Sequence, residues 1–279
     1  MALATLRRKL DKLKGILLSY KRVLLAYSGG VDSSFLLKCC SDFLGKNNVL
    51  AVTAVSPTYT QGELRIAEEI TRGLAVTHKI IPTSEFENPD FKANPQNRCY
   101  YCKLELFCKL KEMAKEEQIR FVLDGSNCDD LKDYRPGAKA KKESGVRSPL
   151  AEVGLSKKEI RRLSKELGLK TWDAPQMACL ASRFAYGQEI TIDDLRRVEK
   201  AEESIRSLGI KMVRVRHYRL PDRTLLARIE VKRKDMRKIT SCALRLASYL
   251  KKIGYNYVTL DLEGYRTGSM NIGITGGSR

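Results

Sequence analysis

The chain has 279 residues, of which 43% are hydrophobic and 30% charged. This length and composition suit one large domain and a smaller one, each with a real core. The sequence contains no apolar run close to the roughly 18 residues that a membrane span needs, and its amphipathic start lacks a signal-peptide core, so we expect a cytoplasmic protein without membrane association. The net charge of +19 suits a polyanion such as tRNA. However, the basic residues are scattered, and solvated helix faces or phosphorylated small-molecule ligands explain this balance without nucleic acid.

Strand-like and helix-like segments alternate through the first two thirds of the chain. A buried strand begins the segment 23–34. The later predicted strands are 49–55, 76–81 and 121–123, and the predicted helices are 35–43, 61–72, 103–117 and 157–167. Ser156 is the expected N-cap of the last helix, because Glu159 completes a capping box. Strands separated by helices predict a parallel sheet with ligands bound at the carboxyl ends of its strands.

The pattern changes near Tyr186 and Gly187. The remaining predicted segments are a helix at 191–208, alternating strands at 211–217 and 225–231, a helix at 234–253 and a strand at 257–262. We therefore predict an α/β protein with a parallel-sheet domain over residues 1–187 and a smaller α+β domain over residues 188–279.

A strand-turn-helix segment provides the first chemical indication. Residues 23–34 read Val-Leu-Leu-Ala-Tyr-Ser-Gly-Gly-Val-Asp-Ser-Ser. Gly29 and Gly30 allow a sharp turn and a close approach to an anion, and the first N–H groups of the helix can donate to phosphate oxygens. The hydroxyls of the loop, Ser28, Ser33 and Ser34, can do the same. A Walker A loop would have a lysine here, but this loop has Asp32, which indicates a bridging Mg²⁺.

The Ser-Gly-Gly-x-Asp-Ser motif resembles the signature of the PP-loop ATP pyrophosphatases, a superfamily that includes GMP synthetase, NAD synthetase and tRNA thiolases. The resemblance implies a PP-loop domain of the adenine nucleotide α-hydrolase type. It also implies that ATP is cleaved between its α and β phosphates. A carboxylate or carbonyl oxygen is adenylylated, pyrophosphate leaves, and a nitrogen or sulfur nucleophile then displaces AMP.

An acidic segment at 123–137 comes after the predicted strand 121–123 and should lie at the same sheet edge as the loop. Gly125 can approach a nucleotide, and Asn127 offers an amide. Asp129, Asp130 and Asp133 could hold a metal or orient Arg135, and Asp130 is the expected metal ligand together with Asp32. A solvated acidic turn is the alternative.

Three of the eight cysteines have distinctive positions. Cys99 and Cys102 form a Cys-x-x-Cys at a helix start, and Cys179 lies alone in Ala-Pro-Gln-Met-Ala-Cys-Leu-Ala-Ser-Arg. Two cysteines with this spacing can bind one metal centre. A 4Fe-4S cluster held by three cysteines would leave one iron open for sulfide. A redox disulfide between Cys99 and Cys102 and a zinc site completed by Cys128 or water stay open. The remaining cysteines are expected to be small core residues: Cys39, Cys40, Cys108 and Cys242.

These segments together resemble the LarE family of sulfur transferases. The resemblance covers the Ser28 loop, the acidic segment, Ser-Pro-Leu at 148–150, the Cys179 segment and Val-Arg-Val-Arg-His at 213–217. It implies that the carboxylates of a biscarboxylated pyridinium mononucleotide become thiocarboxylates in the synthesis of the nickel-pincer nucleotide cofactor. In some members the cysteine matching Cys179 is sacrificed and becomes dehydroalanine. Others use three cysteines and a 4Fe-4S cluster, the subtype that Cys99, Cys102 and Cys179 favour.

The second predicted domain offers candidates for binding the substrate phosphate. Arg214 and Arg216 alternate along a strand and should face one side, with the intervening valines towards the core. By similarity, Glu230 and Arg266 would stand near them. An edge strand that carries arginines for solubility is the alternative.

The predicted reaction uses ATP and Mg²⁺ at Ser28 to Ser34 to activate a carboxylate, and Cys99, Cys102 and Cys179 to supply sulfur. Lys103 or Arg183 would stabilise developing charge. A tRNA thiolase and a non-catalytic ATP sensor are the rival interpretations. Proteins of this kind often form homo-oligomers, and the second domain is the expected interface.

Overall fold

The computed structural model describes residues 2–131, 137–175 and 178–270. Within them the chain forms two compact units. Unit 1 comprises residues 1–87 and 97–177, and unit 2 comprises residues 88–96 and 178–279. Two residues named above, Asp133 and Arg135, lie outside the described residues.

The first half of the chain alternates helices with strands. Its elements are α1 (Ala2–Tyr20), β1 (Val23–Ala26), α2 (Val31–Leu44), β2 (Val49–Val55), α3 (Gln61–Gly73), β3 (Thr77–Pro82), α4 (Pro89–Lys92), α5 (Arg98–Glu116) and β4 (Phe121–Asp124). The second half adds α6 (Gly137–Ser144), α7 (Pro149–Glu152), α8 (Lys157–Glu166), α9 (Ile192–Arg206), β5 (Val213–Arg219), β6 (Leu225–Val231), α10 (Met236–Ser241), α11 (Ala243–Lys252) and β7 (Tyr257–Leu260). Short 3₁₀ turns connect several of these elements.

The sheet of unit 1 is parallel throughout, with the strand order β3-β2-β1-β4. Its central strand β1 is almost wholly buried because Val23, Leu24 and Leu25 are all apolar. Strand β1 pairs with β2 along one edge and with β4 along the other. The strand order therefore changes direction between β1 and β4, and in parallel sheets a ligand-binding crevice forms at the carboxyl ends of two strands related in this way. The predicted α/β class with a parallel sheet is confirmed.

The core of unit 1 lies between the sheet and the helices that cover it. On one face, α1 and α2 bury Leu13, Leu17 and Phe35. On the other face, α5 buries Phe107 and Leu110 against residues of β1, β2 and β4. Because apolar side chains are buried on both faces of the sheet, the carboxyl ends of β1 and β4 are held in a fixed register. A binding site with precise geometry requires such a rigid support.

Unit 2 has its own sheet and core. Strands β5 and β6 are antiparallel, and β7 joins β6 in parallel. One face of this sheet packs Val213, Val215 and Ile229 against α9 and α11. Residues 88–96 belong to this unit because Asn94 and Lys92 bond to the chain around 185–190: Gly187 N donates to Asn94 O at 2.9 Å and Ile190 N to Lys92 O at 3.0 Å.

Several element boundaries differ from the sequence-based expectations. Helix α2 begins at Val31 and not at 35, so the loop acid lies in its first turn. Helix α5 begins at Arg98 and not at 103, and the predicted helix 234–253 is interrupted at Cys242. The compact units place residues 88–96 and 178–187 with the second sheet, whereas the sequence suggested one boundary at 187. Hydrogen bonds between distant segments cause this last difference, and a pattern read along the chain does not contain them.

Candidate active site

The loop after β1 presents a helix N-terminus. Gly29 has φ +70°, a conformation that side-chain-bearing residues rarely adopt. Gly30 is the N-cap of α2, and no side chain of the described residues caps this helix. The first N–H groups of α2 therefore remain available to a ligand. Ser28 Oγ lies 3.0 Å from Ser33 Oγ, and Ser33 Oγ donates to Gly30 O at 3.2 Å, which fixes the turn. This arrangement suits an anion.

The segment after β4 packs directly against this loop. A Cβ added to Gly125 would lie 2.8 Å from Ser33 N and 2.9 Å from Ser33 Cα, so only glycine fits here. The sequence suggested that Gly125 leaves room for a nucleotide, but the structure shows that it leaves room for the α2 backbone. Asn127 organises the turn beyond Gly125, since its Oδ1 accepts from Asp129 N at 2.9 Å and its N–H donates to Asp130 Oδ2 at 3.0 Å.

The two segments enclose a cavity of about 380 Å³ in unit 1. Its size is within the usual range for small-molecule sites. The lining residues proposed from the sequence are Ser28, Gly30, Asp32, Ser33, Lys103, Gly125, Asn127, Asp129 and Asp130. The other lining residues are Ala26, Val31, Asp124, Ser126, Lys157 and Pro175.

Two residues of the predicted ATP-binding set are not in that lining. Ser34 is fully buried, and its Oγ lies 3.2 Å from the hydroxyl of Tyr27. Gly29 is buried against α3, because a Cβ there would lie 3.2 Å from Ala67 Cβ. Their positions indicate that they shape the loop and do not line the cavity.

Asp32 is the central charge of the cavity. Its Oδ2 accepts from Asn127 Nδ2 at 3.3 Å and forms an ion pair with Lys157 Nζ. Its Oδ1 is buried without a hydrogen-bond partner in the part of the chain that the structure describes. Burial raises the pKa of Asp32, and the nearby lysine acts in the opposite direction. An unpartnered carboxylate oxygen on a residue that lines the cavity fits a hard cation such as Mg²⁺, with Asp130 as a second oxygen donor.

Sequence reasoning missed two charged groups of the cavity, Lys157 and Asp124. Lys157 lies at the first position of α8, far along the chain, and only the fold brings it to the loop. Asp124, the last residue of β4, accepts from Ser148 Oγ at 2.5 Å and lies 3.5 Å from Lys141 Nζ. The capping box of Ser156 and Glu159 shows in the sequence that α8 begins at Lys157. The sequence does not show that this helix start lies at the cavity.

The cysteines fall into distinct environments. Cys99 is exposed and Cys102 partly exposed in the first turns of α5, where a spacing of three residues puts both on one face. Cys179 is exposed at the start of the 3₁₀ turn Leu180–Arg183 in unit 2. Cys128 is partly exposed, and it does not line the cavity.

The other four cysteines were expected in the core, and two of them are there. Cys39 and Cys40 are buried, and burial raises the pKa of Cys39 to about 12. Cys108 is exposed and Cys242 partly exposed, so the expectation is wrong for Cys108 and only partly met by Cys242. Among the residues with described positions, no group of three or more His, Cys, Asp or Glu side chains is arranged to hold a metal ion.

Arg183 is buried in an ion pair within unit 2. Its Nε and Nη2 donate to the two oxygens of Glu202 at 2.7 and 2.8 Å. Burial opposes ionisation of Glu202, but Arg183, Arg206 and Arg214 outweigh it and lower the pKa of Glu202 to about 2.

The remaining amino group of Arg183 holds the backbone around Cys179. Nη1 donates to Ala178 O at 2.6 Å and to Cys179 O at 3.0 Å. The geometry therefore supports a positioning role for Arg183, in place of the predicted direct stabilisation of developing charge.

The face of the second sheet that points away from the α9 core carries the predicted phosphate residues. Cross-strand pairing places Arg214 opposite Glu230 and Arg216 opposite Arg228, so all four side chains share a face. The prediction that Arg214 and Arg216 face one side while Val213 and Val215 face the core is confirmed. The arginines are buried, however, and β5 does not present them to solvent as the alternative required.

Glu230 forms ion pairs with two of these arginines, Arg216 and Arg228. Arg216 Nη2 donates to Glu230 Oε2 at 2.7 Å and to Ser269 Oγ at 2.9 Å. Arg228, which sequence reasoning missed, donates to Glu230 Oε1 at 3.1 Å and is more exposed than Arg216. The alternation of Arg228 with Glu230 along β6 was the available signal.

Arg266 is at the margin of this group. It pairs with Glu263 at 2.5 Å, and Asp261 lies 4.0 Å from it. Arg228 also lies 3.5 Å from Asp261, which links the two arginines through one carboxylate. Arg214 lies over the ring of Tyr265, 5.6 Å from its centroid.

A parallel sheet of order 3-2-1-4, with a Ser-Gly-Gly-Val-Asp-Ser loop at its switch point and acidic side chains around the cavity, defines an ATP-dependent enzyme of the PP-loop class. The family described as NAD synthase, an enzyme of this class, matches residues 5–97. The described helices include none that is long and apolar enough to cross a membrane.

Three relatives match almost the whole chain. The uncharacterized protein slr1717 of Synechocystis sp. is 45% identical over 97% of this chain and 99% of its own length. The pyridinium-3,5-bisthiocarboxylic acid mononucleotide synthase of Lactiplantibacillus plantarum is 36% identical over 98% of this chain and 97% of its own length. The uncharacterized protein MJ0830 of Methanocaldococcus jannaschii is 32% identical over 93% of this chain and 98% of its own length. The chain belongs to the LarE family of PP-loop sulfur transferases.

Proposed function

We propose that this enzyme adenylylates the carboxylates of a pyridinium biscarboxylic acid mononucleotide and converts them to thiocarboxylates, a step in making the nickel-pincer nucleotide cofactor. The observation that carries the proposal is the full-length similarity to the Lactiplantibacillus plantarum synthase. The cavity at the PP-loop supports it, because the helix N-terminus and acidic groups there suit ATP with a divalent cation.

The activating half of the reaction uses unit 1. ATP would lie with its phosphates at the first turn of α2, near Ser28 and Ser33. Asp32 and Asp130 would hold Mg²⁺, which when bound neutralises phosphate charge. A substrate carboxylate oxygen forms a bond to the α-phosphorus, the bond to the bridging oxygen breaks, and pyrophosphate leaves. Lys103 lines the cavity and would stabilise the developing charge on the phosphates.

The second half of the reaction needs sulfur. A sulfur nucleophile attacks the acyl carbon, the acyl–phosphate bond breaks, and AMP leaves with its electron pair. We propose that a 4Fe-4S cluster held by Cys99, Cys102 and Cys179 serves this step. Thiolates are the ligands that such clusters use, and these three cysteines are at least partly exposed, so the donor chemistry fits. A bound cluster with three cysteine ligands would supply an iron that can carry sulfide.

The sacrificial version stays as an alternative. In it the Cys179 thiolate itself attacks the acyl carbon, and AMP leaves. The α-proton of the resulting thioester is then removed and its Cβ–Sγ bond breaks, so the sulfur stays on the substrate as a thiocarboxylate and the residue becomes dehydroalanine. The exposure of Cys179 and the hold of Arg183 on its backbone suit either version.

The nucleotide's phosphate would bind in unit 2. We propose Arg214, Arg216, Glu230 and Arg266 for this role, with Glu230 holding Arg216 in orientation. Bidentate arginine contacts are the usual way to fix a phosphate. A homo-oligomer with its interface in the second domain and a cytoplasmic location also remain proposals. Sedimentation equilibrium measures the assembly.

One set of measurements tests the function. The protein is purified without oxygen, its iron content and visible spectrum are recorded, and AMP and pyrophosphate are assayed with the pyridinium nucleotide or with bulk tRNA. We expect iron, AMP formation with the nucleotide only, and a thiocarboxylate product. AMP formation with tRNA alone would show a tRNA thiolase.

The mass of the protein after turnover separates the two sulfur sources. An unchanged Cys179 together with iron supports the cluster. Dehydroalanine at Cys179 without iron supports the sacrificial version. Iron-free protein that keeps Cys179 intact and still makes product would refute both.

A further inference from the structure

The PP-loop is attached to the sheet of unit 1 through the residue that precedes it, Tyr27, which is buried just after β1 ends. The Tyr27 N–H donates to Val52 O at 2.8 Å, as in a regular ladder, but its carbonyl oxygen accepts from a side chain, Thr53 Oγ1, at 2.8 Å. The Tyr27 hydroxyl lies 3.2 Å from Ser34 Oγ, in the first turn of α2. The orientation of the peptide that joins Tyr27 to Ser28 therefore depends on the Thr53 hydroxyl.

A histidine of the next strand binds this hydroxyl in turn. Thr53 is fully buried in β2, and its Oγ1 lies 2.8 Å from Nε2 of His78, in β3. The Thr53 hydroxyl has one proton, and that proton points to Tyr27 O because a carbonyl oxygen can only accept. Both contacts of 2.8 Å are hydrogen bonds only if His78 Nε2 carries the proton of the second one. The geometry therefore assigns the Nε2–H form to His78.

The ring of His78 is held on two further sides. Its Nδ1 lies 3.2 Å from Thr71 Oγ1 of α3, and the Tyr27 ring packs against it edge-on, with the centroids 5.9 Å apart and 78° between the planes. His78 is not among the residues that line the cavity beside the loop. It can therefore influence a ligand of that cavity only through the residues that it holds.

We propose that His78 is a positioning residue of the PP-loop: its Nε2–H fixes the Thr53 hydroxyl, and that hydroxyl fixes the peptide from which the loop begins. Without this N–H the Thr53 hydroxyl can turn away from Tyr27 O, and the loop loses a support that a precise site needs. The inference deepens the proposed function and rests on it only in taking ATP as the ligand of the cavity.

The test separates the two ring nitrogens of His78. Glutamine presents an amide N–H near the position of Nε2, whereas asparagine, one carbon shorter, reaches only the position of Nδ1. Binding of α,β-methylene ATP with Mg²⁺ is measured by calorimetry for the wild type, His78→Gln, His78→Asn and the control Thr77→Val, at the exposed neighbour on β3. We expect His78→Asn to weaken binding by about 3- to 10-fold and His78→Gln by less than about 2-fold. Thr77→Val should leave binding unchanged.

A double-mutant cycle shows whether His78 acts through Thr53. Thr53→Val removes the hydroxyl, so Tyr27 O loses its donor, and binding should weaken by about 10-fold. Adding His78→Asn to Thr53→Val should then weaken binding by less than about a further 2-fold, because the hydroxyl that His78 holds is already gone. Thr53→Ser, which keeps a hydroxyl, should bind the ATP analogue as the wild type does.

Three results would overturn the proposal: wild-type binding by His78→Asn, equal losses in His78→Asn and His78→Gln, or losses that multiply in the double variant. Circular dichroism melting of each variant sets a temperature at which all of them are folded, and binding is measured there, so that lower stability alone causes no loss. Failure of the proposed function looks different: a wild type that binds the ATP analogue in this His78-dependent way but makes no thiocarboxylate refutes the substrate and leaves this inference standing.

Discussion

Asp32 combines a buried charge with an unpartnered oxygen, and the two features have opposite consequences. Burial raises its pKa, which means that the folded protein disfavours its charged form. The same carboxylate offers, within the described part of the chain, an unbonded oxygen to a cation. A residue that costs stability and fits a ligand is typical of a functional site.

We expect Asp32→Asn to lower AMP formation at least about 100-fold, because the proposed Mg²⁺ would lose a charged ligand, while the melting temperature stays the same or rises. Asp42→Asn is the matched control, since Asp42 is an exposed acid of the same helix, paired with Lys38. Thermal melting and an AMP assay measure both. A large fall in melting temperature for Asp32→Asn would show that the residue is structural.

Gly125 is a residue whose missing side chain is required. A methyl group there would press on the Ser33 backbone at 2.8 Å, and backbone cannot move aside easily. We expect Gly125→Ala to lower the free energy of unfolding by about 1–3 kcal/mol and to weaken ATP binding. Gly15→Ala, with nothing within 4 Å of the new methyl group, should raise the stability slightly. Equal effects of the two changes in urea unfolding would contradict this account.

Arg183 connects a buried acid to the Cys179 backbone. Arg183→Met leaves Glu202 short of its main partner, so we expect a loss of about 3–5 kcal/mol in the free energy of unfolding. The thiol of Cys179 should also react faster with a maleimide in the folded protein, because Ala178 O and Cys179 O lose their donor. Arg196→Met removes only an exposed arginine 3.9 Å from Asp193 and should change neither quantity. Unchanged stability of Arg183→Met would refute the positioning role.

At the scale of elements, β5 contains a titratable group that makes the stability of unit 2 depend on pH. His217 is fully buried on the core side of the strand, with Phe184 and Tyr255 beside it. Burial lowers the pKa of His217 to about 4, although Asp194, 3.5 Å from Nε2, acts in the opposite direction. The unfolded chain binds this proton near pH 6.5, and the folded chain binds it only near pH 4.

Stability should therefore fall as the pH drops from about 6.5 to about 4, by up to about 1.4 kcal/mol per pH unit from this residue. Urea unfolding at several pH values measures the slope. His217→Phe should remove most of it, whereas His78→Phe, at the half-exposed second histidine, should remove less. An unchanged slope in His217→Phe would show that other groups cause it.

Sequence patterns predicted the elements well where a local signal exists. The apolar strand β1, the glycine pair after it and the capping box of α8 each identify their own position. The sequence did not reveal partners joined by tertiary contacts. Lys157 meets Asp32, and Arg183 meets Glu202, across long stretches of chain. For the same reason the sequence suggested a catalytic role for Arg183, because it shows the charged side chain but not the buried ion pair with Glu202.

At the scale of the whole molecule, the second unit is discontinuous. It needs the segment 88–96, whose Asn94 is fully buried and donates from Nδ2 to Ala185 O at 2.7 Å. Asn94 also adopts φ +54°, which asparagine tolerates better than most residues. A break in the chain near 177 therefore does not release a complete unit.

We expect a fragment of residues 178–279 to give poorly dispersed NMR spectra, because it lacks the contacts made by 88–96. A fusion of residues 88–96 to its N-terminus through a flexible linker should increase the dispersion. The same fusion with Asn94→Ala should help less, since the amide bond to Ala185 O is lost. A well-folded bare fragment would contradict the role of this segment.

The discontinuity also bears on the order of events at the ribosome. Residues 88–96 are made early, but the residues they bond, around 185–190, are made only after 97–177. At roughly 5–20 residues per second, this delay lasts about 4–16 s. During that time Lys92 and Asn94 lack their partners, and the 88–96 segment, which includes the otherwise buried Phe91, has not joined its unit. Nascent chains halted before residue 178 should for this reason bind holdase chaperones through the 88–96 segment.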